Sequence, residues 1–344
     1  MKYSSSAVSF LRRQHPLVPV VWLAALIFAL INVGAQSRAR QVANQGKAGA
    51  QLQEAVSANS EAELQRVENT FPGTVEAALA HFLRGYLRFQ ANDFQTAAKL
   101  FADQSVSRLT ALGDYALYYR GQALKEGGRA EEAEREFRRL EQIYPLSLLA
   151  RTAALQSAGS AMLRGDYQTA TADLSRLVEK NDGAALKLRA DALEKAGQVN
   201  EAIIALRKLY FEAPQSAEAD KAGAHLIALG GTTAPSDAAQ QLRRADTLYE
   251  AKLYALAAQA YSQIPNLFPK AATSDVWMRA GVSYYKANSF KQAIEALSQV
   301  RSRSPEVTSD SLYYTSLAQL SLSNESAAME TLAELRRISP SSGR

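Results

Sequence analysis

At 344 residues, with 47 % hydrophobic and 21 % charged side chains, the chain exceeds one ordinary domain and holds enough apolar material for a sizeable core, which excludes wholesale disorder. It has no cysteine, which removes disulfides, thiolate metal sites and cysteine nucleophiles together, and its three histidines, His15, His81 and His225, are too scattered to suggest a metal or acid–base centre. Of the net charge of +5, Lys2, Arg12 and Arg13 carry three, so the remainder is close to neutral and no nucleic-acid partner is expected.

The first element is a leader. From Leu17 to Ala35 the chain is almost wholly apolar, with Arg12-Arg13 before it and polar Gln36-Ser37-Arg38 after it. Val33-Gly34-Ala35 has the small-residue spacing that a signal peptidase accepts, and nineteen apolar residues just span a bilayer core. Residues 1–35 are therefore expected to be either a cleaved signal peptide or a retained transmembrane anchor, with the arginines on the cytoplasmic side and the rest of the chain exported to the cell envelope.

Residues 36–70 read as leading helices and linker. From residue 71 apolar residues recur at helical spacing, and no stretch alternates as a strand would, so an all-α fold is expected. A turn-and-alanine signal then repeats: Asn92-Asp93-Phe94 to Ala97, Gly128-Arg129-Ala130 to Ala133, Gly165-Asp166-Tyr167 to Ala170, Gly197-Gln198-Val199 to Ala202, Lys252-Leu253-Tyr254 to Ala257, and Asn288-Ser289-Phe290 to Ala293. Pro145, Pro214, Pro269, Pro305 and Pro340 fall at the ends of the second helices. Gly121, Ala158, Ala190, Ala245 and Gly281 fall where a first helix must approach its partner closely, and Trp277 occupies the bulky position one turn before Gly281.

One interruption breaks this register. Residues 217–229 read as an additional helix ending at Gly230-Gly231, followed by a loop in which Ser236 or Asp237 caps the next helix. Two repeat arrays, 71–230 and 238–344, joined by a linker at 231–237, are expected on that basis.

These signals resemble tetratricopeptide repeats, which implies an α-solenoid, a superhelix of helix hairpins. The order of segments goes further. Gly113 to Leu124, Tyr144-Pro145-Leu146-Ser147-Leu148-Leu149-Ala150, Ala192 to Gly197 and Arg207 to Ser216 together resemble the helical amino-terminal region of bacterial soluble lytic murein transglycosylases. In that family cleavage belongs to a separate lysozyme-like domain with a catalytic Glu-Ser pair. The Glu-Ser pair here, Glu325-Ser326, sits where the repeat wants a turn and a polar helix start, so no enzymatic activity is expected. Gly230-Gly231 lacks the lysine and preceding strand of a phosphate loop, so no cofactor is expected there, and His81 and His225 lack nearby carboxylates in sequence.

Binding is the remaining route to function. In repeats of this kind the first helix of each pair lines the concave side, which places Phe82, Tyr86, Phe89, Tyr115, Tyr118, Asp246, Tyr249, Tyr285 and Tyr313 on a tyrosine-rich surface. Tyrosine offers rigid area and a hydroxyl, suited to extended peptides or sugar rings. The expected function is a non-catalytic scaffold of the bacterial periplasm or envelope that binds proteins or peptidoglycan strands. The alternatives are a partial lytic transglycosylase and an anchored assembly factor of an outer-membrane or secretion machine.

Overall fold

The computed structural model describes residues 39–302 and 304–340. The leader expected at residues 1–35 lies outside them, and no helix among the described residues is long and apolar enough to cross a membrane. The chain divides into two compact units, one ending at Arg164 and the other beginning at Gly165. Among the described residues neither unit contains a strand.

The first unit comprises α1 (Ala39–Ser57), α2 (Glu61–Thr70), α3 (Val75–Gln90), α4 (Phe94–Leu100), α5 (Gln104–Leu109), α6 (Gly113–Glu126), α7 (Ala130–Ile143) and α8 (Ala150–Leu163); the short helices α4 and α5 each pack on both α3 and α6, and the other helices pack on their neighbours in sequence. Starts are capped where the sequence supplies short polar side chains: Ser60 accepts from the backbone N–H of Glu63 at 3.3 Å, Thr74 from Ala77 at 3.1 Å and Asp93 from Thr96 at 3.1 Å. The second unit comprises α9 (Tyr167–Asp173), α10 (Ser175–Glu179), α11 (Gly183–Lys195), α12 (Val199–Glu212), α13 (Ala219–Ala228), α14 (Ala238–Glu250), α15 (Tyr254–Leu267), α16 (Ser274–Lys286), α17 (Phe290–Ser298), α18 (Pro305–Ser321) and α19 (Glu325–Ile338).

The repeated turn signal has a backbone cause. Asn92, Gly128, Gly165, Gly197, Lys252, Asn288 and Ser323 all have positive φ, between 59° and 77°. Each is the left-handed residue that ends one helix, and the next helix begins two residues later. Asparagine and glycine adopt this conformation at least cost, which is why they dominate the signal. Prolines 145, 214, 269 and 340 follow the ends of α7, α12, α15 and α19, whereas Pro305 is the first residue of α18, where its missing N–H costs nothing.

The small residues sit where helices cross. A Cβ on Gly121 would lie 2.6 Å from Cε1 of Phe137, and one on Gly281 would lie 2.4 Å from Cγ of Leu297. Ala190 and Ala245 are fully buried at the matching positions. Trp277 packs, half-buried, against the core around Ala245 and Leu248. Since Phe137 is itself enclosed, Gly121→Ala is expected to lower the stability of the first unit by about 1–3 kcal/mol, read as a lower denaturant midpoint at unchanged slope.

The division expected at 231–237 falls inside the second unit. The extra helix is present as α13, and Asp237 caps α14 by accepting from the N–H of Gln240 at 2.7 Å. The loop between them does not separate two bodies, because α12 reaches across it. Arg207 donates to the carbonyl of Thr232 at 2.7 Å and to Gln240 Oε1 at 3.2 Å. From α14, the Arg244 guanidinium lies 3.7 Å from the Tyr210 ring centroid and donates to the Tyr210 carbonyl. Nothing local in 231–237 reveals these two arginines.

Candidate binding surface

The nine residues expected on a binding surface separate into two groups. Phe82, Tyr86, Phe89 and Tyr118 are between 0 and 6 % exposed, so the expectation that they face a partner is corrected: they are core. Their hub is Tyr119, whose ring centroid lies 6.2 Å from Phe82, 5.3 Å from Tyr86, 5.8 Å from Phe89, 5.7 Å from Phe101 and 5.6 Å from Tyr118. Tyr118 is satisfied internally, its hydroxyl accepting from Gln122 Nε2 at 2.7 Å. The spacing of 82, 86 and 89 is itself the stripe of a buried helix face, a signal that favours core. Tyr115 is half-buried and packs against the same core.

The other four, Asp246, Tyr249, Tyr285 and Tyr313, are half-exposed and lie on the first helices of successive hairpins in the second unit. They are joined there by residues that were not expected on that surface. Tyr249 at the end of α14 meets Tyr254 at the start of α15, centroids 5.4 Å apart. Lys286 at the end of α16 places its ammonium 4.5 Å from the Tyr249 ring and 5.0 Å from the Tyr254 ring, and donates to Tyr249 Oη at 2.5 Å. Tyr285 contacts Tyr314 of α18 at 5.6 Å, and Tyr314 contacts Tyr313 at 5.4 Å. One turn back, Asp246 accepts from Arg279 Nη1 at 2.7 Å and from the Tyr261 hydroxyl.

The result is a ladder across α14, α16 and α18 made of tyrosine faces, tyrosine hydroxyls and one ammonium held in place. The hydrogen bond to Tyr249 holds the Lys286 pKa above its ordinary value, and the adjacent rings act in the same direction. Lys252, Leu253, Tyr254, Leu256 and Lys286 line an open depression beside it. Such a surface offers flat apolar area with few rotatable bonds, together with a cation for carbonyl or carboxylate oxygens. Glu325 and Ser326, by contrast, are exposed at the start of α19 with Asn324 as the cap.

The histidines have partners that sequence distance conceals. Both ring nitrogens of His81 face acceptors, Nδ1–H donating to Glu68 Oε2 at 3.1 Å and Nε2–H to the carbonyl of Leu100 at 3.1 Å. The Glu68 hydrogen bond, against the opposing effect of burial, raises the His81 pKa above the ordinary 6.5, and Asp103 adds to the rise. Arg84 shares the same Glu68 oxygen at 2.9 Å. A raised folded value means that protonated His81 stabilises the first unit fully below 6.5 and that this contribution is lost as pH rises through the folded value. The stability difference between the wild-type chain and His81→Gln is therefore expected to shrink on raising the pH from 6.5, measured by denaturant titration; a difference that grows instead would contradict the assignment. His225, expected to lack carboxylate neighbours, has Glu194 Oε2 at 2.9 Å from Nε2, with Asp191 beside it.

Comparison with known proteins supports the repeat assignment. A tetratricopeptide repeat model matches residues 155–217 and 278–343, and a second tetratricopeptide repeat model matches residues 115–147. Among solved structures, the chain is similar to a tetratricopeptide repeat protein from Parabacteroides merdae at 14 % identity, covering 80 % of this chain and 96 % of that one with a TM-score of 0.38. It is also similar to the TPR2AB-domain:pHSP90 complex of yeast Sti1 (16 % identity, 65 % and 90 % covered, TM-score 0.28) and to the TPR domain of P58(IPK) (17 % identity, 85 % and 92 % covered, TM-score 0.27). No curated protein matches the chain. Helix hairpins closed by left-handed turns at a near-constant period, together with repeat models matching three stretches of the sequence, show that this chain carries tetratricopeptide repeats at residues 115–147, 155–217 and 278–343.

Proposed function

We propose that the chain is an exported, envelope-facing scaffold without catalysis of its own, which holds an extended segment of a partner protein along the ladder of α14, α16 and α18. The observation that carries the binding half is the row of half-exposed tyrosines with the ammonium of Lys286 fixed between two of them. Repeats of this type generally bind peptides or proteins, and a preformed surface of rigid rings binds with little ordering cost. The export half rests on the basic, then apolar, then small-residue order of the first 35 residues and on the likeness to the helical region of lytic transglycosylases.

The test uses the full chain with a carboxy-terminal tag, expressed in a bacterium and followed by fractionation and by capture from solubilised envelopes. Recovery in the envelope or periplasmic fraction with a stoichiometric protein partner is expected. Retention in the cytoplasm would overturn export, and capture of muropeptide without protein would turn the reading toward the cell wall. Release of soluble fragments from purified peptidoglycan by the chain would overturn the non-catalytic reading.

A further inference from the structure

We propose that Asp191, Glu194 and His225 form a binding site for a borderline transition-metal dication of the zinc class. Asp191 and Glu194 stand three residues apart on α11 and so share one face, and His225 comes from α13. One ligand atom from each lies within 4.8 Å of the other two, and this is the group of that kind among the described residues. Ligand atoms about 2.0–2.2 Å from a tetrahedral zinc are roughly 3.3 Å apart, so small side-chain rotations close the set. The His225 Nε2 to Glu194 Oε2 pair at 2.9 Å is already closed.

The donor chemistry selects the metal. Two carboxylates balance a dication, and an imidazole nitrogen disfavours the hard oxygen-seeking ions calcium and magnesium relative to zinc. The three side chains are each between 26 and 40 % exposed, which leaves the fourth position open to water or to a group from a partner.

One further residue makes the proposal discriminating. Lys187 lies one turn before Asp191 and donates to both of its carboxylate oxygens, at 2.5 and 2.7 Å. A dication must displace that ammonium from at least one oxygen, so Lys187 opposes binding. A chance ion pair between His225 and Glu194 would give Lys187 no such influence.

The experiment is calorimetric titration of zinc chloride into the chelator-treated full chain at neutral pH. One saturable equivalent is expected, with calcium chloride giving none. His225→Gln and Glu194→Gln are each expected to weaken zinc binding by at least the roughly 10-fold that loss of even an outer partner costs. His15→Gln and His81→Gln are expected to leave it unchanged, and Lys187→Met is expected to tighten it. Absence of saturable zinc binding, equal affinity in His225→Gln, loss in His15→Gln or His81→Gln with retention in His225→Gln, or no tightening in Lys187→Met would each overturn the proposal. Should His225→Gln fail to fold by circular dichroism, Lys187→Met, which alters only a half-exposed side chain, decides the matter.

Discussion

Phe82→Ala is expected to destabilise the first unit by about 3–5 kcal/mol, the range for removing a fully enclosed phenylalanine. Phe82 is 0 % exposed, and its ring meets Phe101 edge-on at 5.4 Å and Tyr119 at 6.2 Å. The space it leaves cannot close easily. Gly85 already brings α3 so close to Phe101 that a Cβ there would lie 2.9 Å from Cε1, so the helix has no room to shift as a body. Tyr119 is likewise held by rings from Tyr86, Phe89 and Tyr118 and cannot swing over. Denaturant titration followed by near-ultraviolet circular dichroism checks this. Full stability with loss of partner binding would instead restore Phe82 to a binding role.

Tyr285→Ala combined with Lys286→Ala is expected to weaken partner capture by about 30-fold or more, since buried tyrosine anchors at interfaces are typically worth roughly 2 kcal/mol or more each. Neither side chain is buried, so helicity and the denaturant midpoint should change little. Two contacts are lost together. The Lys286 ammonium between the Tyr249 and Tyr254 rings disappears, and so does the edge contact from Tyr285 to Tyr314. Lys291→Ala, an exposed change on α17, is the matched control and should leave capture intact. Equal capture by the double variant and the control would place the binding surface elsewhere, while loss of capture with loss of folding would make these residues structural.

What the sequence by itself determined is local and periodic. The left-handed residues at 92, 128, 165, 197, 252 and 288 were legible as a recurring turn signal because one backbone conformation between two helices restricts which side chains fit. Close approach at Gly121 and Gly281 was legible for the same kind of reason, since a Cβ has no room there whatever the rest of the chain does. At three of these turns the repeat also places a ring pair across the turn. Phe89 with Phe94, Tyr249 with Tyr254 and Tyr285 with Phe290 are equivalent pairs, with centroids 5.6, 5.4 and 5.8 Å apart.

What covers such a pair was decided only by the tertiary structure. At Phe89 the next hairpin brings Tyr119 and closes the site, while at Tyr249 it brings Lys286, whose charge must keep water nearby, and the pair remains half-exposed. Four expected surface aromatics therefore became core and four residues stayed on the surface, although their positions in the repeat are alike. The same cause hid the unity of the second unit behind a loop at 231–237 that Arg207 and Arg244 bridge, and it hid the carboxylates beside His225, thirty-one residues away in the chain and 2.9 Å away in space. Turn geometry is set by a residue and its immediate neighbours; burial and charge pairing are set by whichever side chain a separate helix delivers, and the period does not encode which one that is.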